Sequence, residues 1–432
     1  MLNYSQIIKN ERIKQNMTQQ ALAKGICSTS YLSKIEKEHV IPRDHIREAL
    51  LKKLNLNTHY LKMSQEEEFL RELHRAFQYA IHLNSAEHAQ IVWNHFNEFN
   101  IEFSTRENFY QCNLYLQRIA IIAKQPILDL DEISAAFASV LNNLNPEQLF
   151  IFYVNSCHYC LENRLYKDAM KFMSKAEKVI QDYEPEIPEW LIGNFHFISS
   201  QLTYTIHHYS AAFSHAHLAL TIFEKLNLQT PIINCYIQIG ICNNRSGLFE
   251  YAKKALQTAY HLAVQLEKKE LYGTILQQLG QHAALTGESK EAIQYYRESL
   301  EHTVSVEPKL AAIHNMVKEY SKLQQPTFIQ YWCKKGIQLV SEHLNAPFYR
   351  TFYFQFRFYQ MLHHIESLKP DVIEEAITYF EECEELILVQ KYAIAFGHIF
   401  YEQQSFEDAA KLYKKANEVA LTIQRRNYWQ DL

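Results

Sequence analysis

Glycine and proline are scarce in this chain, nine and ten among 432 residues. Many-stranded folds need them at their turns, so the shortage argues against sandwiches and barrels and for helices joined by short loops. Long apolar runs are missing as well. No run of roughly 18 residues is both uncharged and apolar enough to cross a bilayer, and the first residues lack a secretory pattern, so a cytoplasmic protein with no membrane partner is expected. There is no Gly-rich phosphate loop, no GxSxG and no HExxH, which removes the usual grounds for expecting an enzyme; no cofactor is expected either. The eight cysteines are scattered, and only Cys157 and Cys160 form a CxxC, without a second pair to complete a zinc site. On a helix these two share a face and read as small core residues. His207, His208, His215 and His217 cluster in sequence, but helical spacing spreads them over several faces, so no metal site is expected.

What is present is apolar mass, 47% hydrophobic with 13% aromatic, enough for an extended core. The first segment is the most informative. Tyr4 to Asn16 has helical spacing with Ile7, Ile8 and Ile13. Thr18 is placed to cap a second helix that aims Leu22 inward, and Gly25-Ile26-Cys27 makes a turn. Ser28 then caps a third helix, Thr29 to Lys37, with Leu32 and Ile35 inward and Thr29, Ser30, Tyr31 and Lys34 outward. Pro42 precedes a fourth, Asp44 to Leu56, striped by Ile46, Leu50, Leu51 and Leu54. A helix presented this way fits the DNA major groove.

Arg12, Thr18-Gln19, Leu22-Ala23, Ser30, Leu32-Ser33-Lys34-Ile35-Glu36 and Pro42 make this segment resemble the Xre/Cro-like repressors. The resemblance implies a buried structural ion pair between Arg12 and Glu36, and DNA contacts from Gln19, Ser28, Thr29, Ser30, Tyr31 and Lys34. Gln19 suits a phosphate, a base edge or a capping role; the same fold also serves elsewhere as a protein-docking module. Charge favours DNA. Eleven Lys and Arg against five Asp and Glu give residues 1–62 a net charge of +6, while the whole chain is −5, leaving −11 for residues 63–432.

From about residue 66 the chain is a run of amphipathic helices with a recurring small-large-small pattern. Gly240, Ala252, Leu256 and Ala259 are matched at an offset of 40 residues by Gly280, Ala292, Tyr296 and Ser299. Further copies are Ala169-Met173-Ala176, Ala212-Ala216-Ala219, Ala376-Phe380-Cys383 and Ala409-Tyr413-Ala416. The pattern resembles tetratricopeptide repeats, with spacings longer than the usual ~34 residues; between 310 and 345 the fit is loose, Gly336 standing in for the last alanine. The fold class expected is all-α, an N-terminal helix-turn-helix domain followed by a right-handed superhelix of tetratricopeptide-like helix pairs. Domains are expected at 1–62 (DNA-binding), 66–145 (linking helices and degenerate repeats) and 146–432 (repeats for peptide binding and dimerisation).

With Gly240 and Gly280 as the eighth positions of their repeats, the inner face of the first helices collects Asn155, His158, Asn194, Gln201, Asn234, Gln238, Asn244, Arg245, Gln277, Gln278, Gln281, Asn315 and Lys318. Paired carboxamides can clamp the peptide units of an extended chain, and Arg245 and Lys318 can take a carboxylate. The alternative is that the amides bond helix to helix within the stack. The aromatic run from Phe348 to Tyr359 is read as core, with a dimer contact as the alternative, and Tyr428-Trp429 as a cap on the last repeat.

A Xre-like reader followed by such repeats resembles the Rgg/Rap/NprR/PlcR/PrgX (RNPP) regulators, and Ile26 to Glu36 resembles the recognition segment of the PlcR/NprR branch. The resemblance implies a homodimeric cytoplasmic regulator that binds a double-stranded DNA operator and is gated by a short signalling peptide, with Asn155, Asn194, Asn234 and Asn315 holding the peptide backbone. A second reading is a Rap-like adaptor docking a response regulator, for which Gln78, Gln90 or Gln111 would supply an amide near the acyl phosphate.

Overall fold

A computed structural model describes residues 4–37, 39–40, 42–56, 58–97, 103–125, 141–341, 344, 346–363 and 367–423. Every regular element among them is helical. Residues 424–432, and with them Tyr428 and Trp429, lie outside the described residues. The chain divides into two compact units: residues 1–206 with 221–231, and residues 207–220 with 232–432.

The first unit opens with α1 (Tyr4–Lys14), α2 (Gln19–Ala23), α3 (Thr29–Glu36) and α4 (Asp44–Lys53). Their core is Ile8, Leu22, Ala23, Leu32, Ile35, Leu50, Leu51 and Leu54, all buried. Asn16 takes φ 51°, which ends α1 early, and Ile13 near that end stays about half exposed. Then follow α5 (Thr58–Leu83), α6 (Ala86–Phe96), α7 (Arg106–Ile122), α8 (Pro146–Glu162), α9 (Tyr166–Tyr183) and α10 (Glu189–Thr205). The helix α5 is continuous through residues 63–65. α8 starts at a capping box in which Asn145 and Gln148 satisfy each other's backbone amides, with Pro146 at the first helical position. α8 and α9 form a hairpin, and α7, α8 and α10 pack in succession.

α11 (Tyr209–Lys225) and α12 (Gln229–Arg245) belong partly to each unit. The second unit continues with α13 (Phe249–Gln265), α14 (Tyr272–Leu285), α15 (Ser289–Glu301), α16 (Val306–Lys322), α17 (Pro326–Val340), α18 (Pro347–Leu362), α19 (Pro370–Glu382), α20 (Leu386–Glu402) and α21 (Phe406–Ile423). Each helix packs on the next from α13 onward. The first helices of the pairs also touch one another in a row: α14 on α16, α16 on α18, α18 on α20.

Most of the few glycines are placed where helices pack closely. Six of the nine lie inside helices, where glycine costs roughly 0.5–1 kcal/mol against alanine, so close packing has to repay them. A Cβ on Gly240 would stand 2.6 Å from Leu256, and one on Gly280 2.7 Å from Tyr296. Gly336, in the place of the last alanine of its repeat, is buried within α17 and lies against Phe356. Gly397 lies against Tyr413, extending the register of Gly240 and Gly280 to the last pair. The other three, Gly25, Gly247 and Gly287, take positive φ in turns, but most inter-helix turns put ordinary residues there, among them Arg164, Glu267, Gln324, Glu384 and Gln404.

The aromatic run forms α18. Phe354, Phe356, Phe358 and Tyr359 are buried, while Phe348 remains exposed and meets Phe352 edge-on. Phe358 packs between Tyr392 and Phe396, 4.7 Å between ring centres in both cases.

Candidate DNA and peptide interfaces

The α2–α3 corner is built by local bonds. The Thr18 hydroxyl accepts from the Ala21 amide and the Ser28 hydroxyl from the Tyr31 amide, both at 3.1 Å, so each helix begins at a side-chain cap. Gly25 supplies the turn at φ +85°. Arg12 locks α1 to α3: its Nε and Nη2 donate to the two Glu36 carboxylate oxygens at 2.6 and 2.9 Å, and its Nη1 to the Met17 carbonyl at 2.7 Å. Burial pushes the Glu36 carboxyl up, but the bonds from Arg12 and Gln19 outweigh it and hold the group below the usual range. This clamp fixes the angle at which α3 is presented.

Thr29, Ser30 and Lys34 are exposed on α3, and Tyr31 is half-buried. Ser28 is exposed, with its hydroxyl already engaged as a cap. Gln19 is placed otherwise than a free reader: its amide donates to Glu36 Oε2 at 2.7 Å and completes the clamp.

In the first unit the predicted residues Asn155, His158 and Asn194 are buried where α7, α8 and α10 pack. Asn155 is buried and donates to the Leu114 carbonyl at 2.9 Å and to Gln117 at 3.1 Å. Asn194 is buried and accepts from Arg118 Nη2 at 2.9 Å. These amides join helix to helix. Gln201 is half-buried on α10. Arg118, absent from the residues singled out by sequence, is the largest fully buried side chain, and its Nε and Nη1 have no hydrogen-bond partner among the described residues. Burial draws its pKa down to about 9. His158 lies beside it, its Nε2 3.6 Å from Glu162 Oε1 and its Nδ1 unpartnered among the described residues. Burial and the Arg118 charge pull this imidazole down to about 4, so it is neutral near pH 7. No periodicity singled out Arg118, since α7 lies in the stretch where the repeat pattern is degenerate.

In the second unit the predicted residues fall into two groups. Asn244 is buried and its Oδ1 meets His282 Nδ1 at 2.8 Å, joining α12 to α14. Gln238 is buried, its amide 3.9 Å from the Cys242 sulfur, and Asn234 is half-buried. By contrast, Gln277, Gln278 and Gln281 on α14 and Asn315 on α16 are half-buried, and no side-chain bond engages their amides among the described residues. Lys318, one turn beyond Asn315, is exposed, and so is Arg245. Neighbouring atoms that displace water, together with the charges of Lys322 and Arg245, lower the Lys318 pKa. An open row of amides beside a lysine can bond both edges of a peptide backbone and one anion.

The remaining candidates are satisfied locally. Gln90 donates to Asn94 at 2.7 Å and accepts from Gln125; Gln111 bonds Tyr115 and Glu147; Gln78 is half-buried. Cys157 and Cys160 are buried, which pushes both thiols up to about 12 and leaves them unreactive. His207 turns to the Tyr209 hydroxyl at 2.9 Å, and His217 packs edge-on against Phe213. Among the described residues no helix is long and apolar enough to span a membrane.

Helix order, caps and crossing glycines define the class: a helix-turn-helix domain followed by stacked helical hairpins. A helix-turn-helix family model matches residues 8–61. Along its length the chain is similar to the transcriptional activator NprA of Geobacillus stearothermophilus, 23% identical over 412 residues, which cover 91% of this chain and 97% of the relative. Its fold is similar to the apo form of the quorum sensor NprR from B. thuringiensis, with a TM-score of 0.63, 18% identity, and coverage of 83% of this chain and 99% of that one. NprR in complex with its cognate peptide NprX gives a TM-score of 0.56 at 20% identity, covering 82% and 99%. By domain order and this near end-to-end similarity, the chain is similar to regulators of the RNPP family.

Proposed function

We propose that this protein is a cytoplasmic, homodimeric transcriptional regulator whose α3 reads a double-stranded DNA operator and whose repeats hold a short extended signalling peptide that sets operator affinity. Residues 1–62 are the reader, 66–145 the connection, and 146–432 the peptide-binding and dimerisation domain. The observation that carries the DNA reading is the surface of α3: exposed Thr29, Ser30 and Lys34 on a helix fixed by the Arg12–Glu36–Gln19 clamp, within a segment of net charge +6. NprA, a transcriptional activator, and NprR, a quorum sensor with a cognate peptide, support the same reading.

The peptide reading rests on the unengaged amides of Gln277, Gln278, Gln281 and Asn315. Asn155, Asn194 and Asn244 act in it as the rigid floor, because their bonds already tie neighbouring helices together. Coupling follows from the repeat: each pair touches only its neighbours, so a ligand that tightens one junction shifts the population of the whole array and with it the separation of two readers. Half-sites spaced near one helical turn of DNA, about 34 Å, make affinity sensitive to that separation.

Lys34→Ala tests the reader. The variant is expected to keep its melting curve and peptide binding, to lose roughly tenfold or more in operator affinity, and to lower the salt slope by about one. Unchanged operator affinity would remove α3 as the reading helix.

A further inference from the structure

A second group of residues in the second unit has chemistry that the amide row does not use. Lys391 on α20 lies over two aromatic rings, 4.6 Å from the centre of Tyr392 and 5.5 Å from that of Tyr359. Its ammonium is 3.4 and 3.5 Å from their hydroxyl oxygens. Both phenols are buried, and burial keeps them protonated at any ordinary pH. No carboxylate among the described residues pairs with Lys391 or Lys318. Lys391 instead feels Lys318, whose charge helps bring the Lys391 pKa down to about 8, while Lys318 feels Lys322 and Arg245, offset in part by Glu319. Below them lies His314, with Nε2 unpartnered among the described residues and its ring against Phe352, Phe356 and Tyr359. Both lysines lower its pKa further, so it is neutral and adds no positive charge. The nearest acid, Glu319, is already engaged by the Ser289 hydroxyl at 2.6 Å and by Lys322 at 2.7 Å.

Lys391 sits over the Tyr359 and Tyr392 rings and Lys318 acts on it electrostatically, while Glu319, the carboxylate that acts on Lys318, is shared with Ser289 and Lys322. Cations left facing each other repel, and an anion between them turns that repulsion into two charge-assisted bonds. The same face carries Asn315, one helical turn from Lys318, so an anion held here continues the line of amides. The geometry points to a carboxylate-binding subsite formed by Lys318 and Lys391, the latter seated on the buried rings of Tyr359 and Tyr392, which selects peptides carrying an acidic group at one end of the row. This inference rests on the proposal that the first-helix face of the second unit holds a peptide.

The test uses the full-length protein and a library of short synthetic peptides, prepared both as free acids and as carboxy-terminal amides, with retained sequences read by mass spectrometry. The wild type is expected to retain acid-bearing peptides about tenfold to a hundredfold better than their neutral counterparts. Lys318→Met with Lys391→Met is expected to lose that preference while still retaining neutral peptides; Lys391→Arg, which keeps the charge, is expected to preserve much of it. Lys391→Gln serves in place of the double variant where the latter melts early. Preference lost on amidation assigns the subsite to the terminal carboxylate; preference that survives amidation assigns it to an Asp or Glu side chain. Peptides retained without acidic preference, or a preference unchanged in both the Met and Gln variants, would overturn the subsite and leave the peptide reading standing. A wild type that retains no peptide at all would remove both.

Discussion

Arg118 is a buried charge whose removal should stabilise the fold. A guanidinium whose pKa falls from 12.5 to about 9 is disfavoured by about 5 kcal/mol in its charged form. Its one bond, to Asn194, returns about 1.5–3 kcal/mol. The sum is a folding cost of about 2–3 kcal/mol, carried by a side chain that is only 2% exposed. Replacing a buried, underpaired ion by an apolar side chain of similar length commonly gains about 1–4 kcal/mol. Arg118→Met should therefore stabilise the first unit by about 1–2 kcal/mol, once the donor lost by Asn194 is allowed for. Trp190 lies in that unit, near His82 and Phe77, so its fluorescence in a urea titration reads the gain directly. A second readout follows from the geometry. Arg118 helps hold His158 at about 4, so its removal should let the His158 pKa rise, measurable by nitrogen NMR of the imidazole. A loss of more than about 2 kcal/mol in Arg118→Met, with His158 unmoved, would show that the guanidinium is fully paired within the fold, and the cost worked out above would be wrong.

Acidification should unfold the protein early. His158 at about 4 and His314 at about 3 both lie below the unfolded value of 6.5, so the unfolded chain binds more protons between these limits. The stabilisation is complete above pH 6.5 and is lost as pH falls through each folded value; for His158 it amounts to about 3 kcal/mol. A urea midpoint that does not move between pH 6.5 and 4.5 would contradict this. Gly280→Ala brings a Cβ to 2.7 Å from the buried Tyr296 ring and is expected to cost about 1–3 kcal/mol by thermal melting, whereas an unchanged melt would mean that this crossing is looser than described. Glu36→Ala strands Arg12 and frees Gln19, and should cost about 3–5 kcal/mol in the reader, seen as loss of amide protection in α1 and α3 with the repeats unaffected; protection that persists would remove the clamp.

What could be read from the sequence divides by range. The reader was legible because its signals are local: Thr18 and Ser28 cap the helices that follow them within three residues, Gly25 makes the turn, and Leu22, Leu32 and Ile35 reach one core. The repeat was legible because a glycine at a crossing needs a large partner at a fixed distance, as Gly240 with Leu256 and Gly280 with Tyr296. The inner-face amides were less so. Spacing puts Asn155, Asn194 and Asn244 on the same face as Gln281 and Asn315, yet the partners that engage the first three lie 38 to 76 residues away. An amide's fate thus depends on the neighbouring helix, which periodicity along its own helix does not report. Arg118 and Lys391 escaped for the same reason. A buried charge is recognised by what surrounds it, and Lys391 gains its meaning only when Tyr359 and Lys318 arrive from other helices.

The measurement that tests the account most directly is footprinting of the full-length protein on the DNA upstream of its own gene, with and without synthetic peptides from the adjacent small reading frame. The account predicts paired half-site protection near one helical turn apart, with an affinity that one peptide changes about tenfold or more. Protection that no peptide alters, or no protection at low salt, would contradict it.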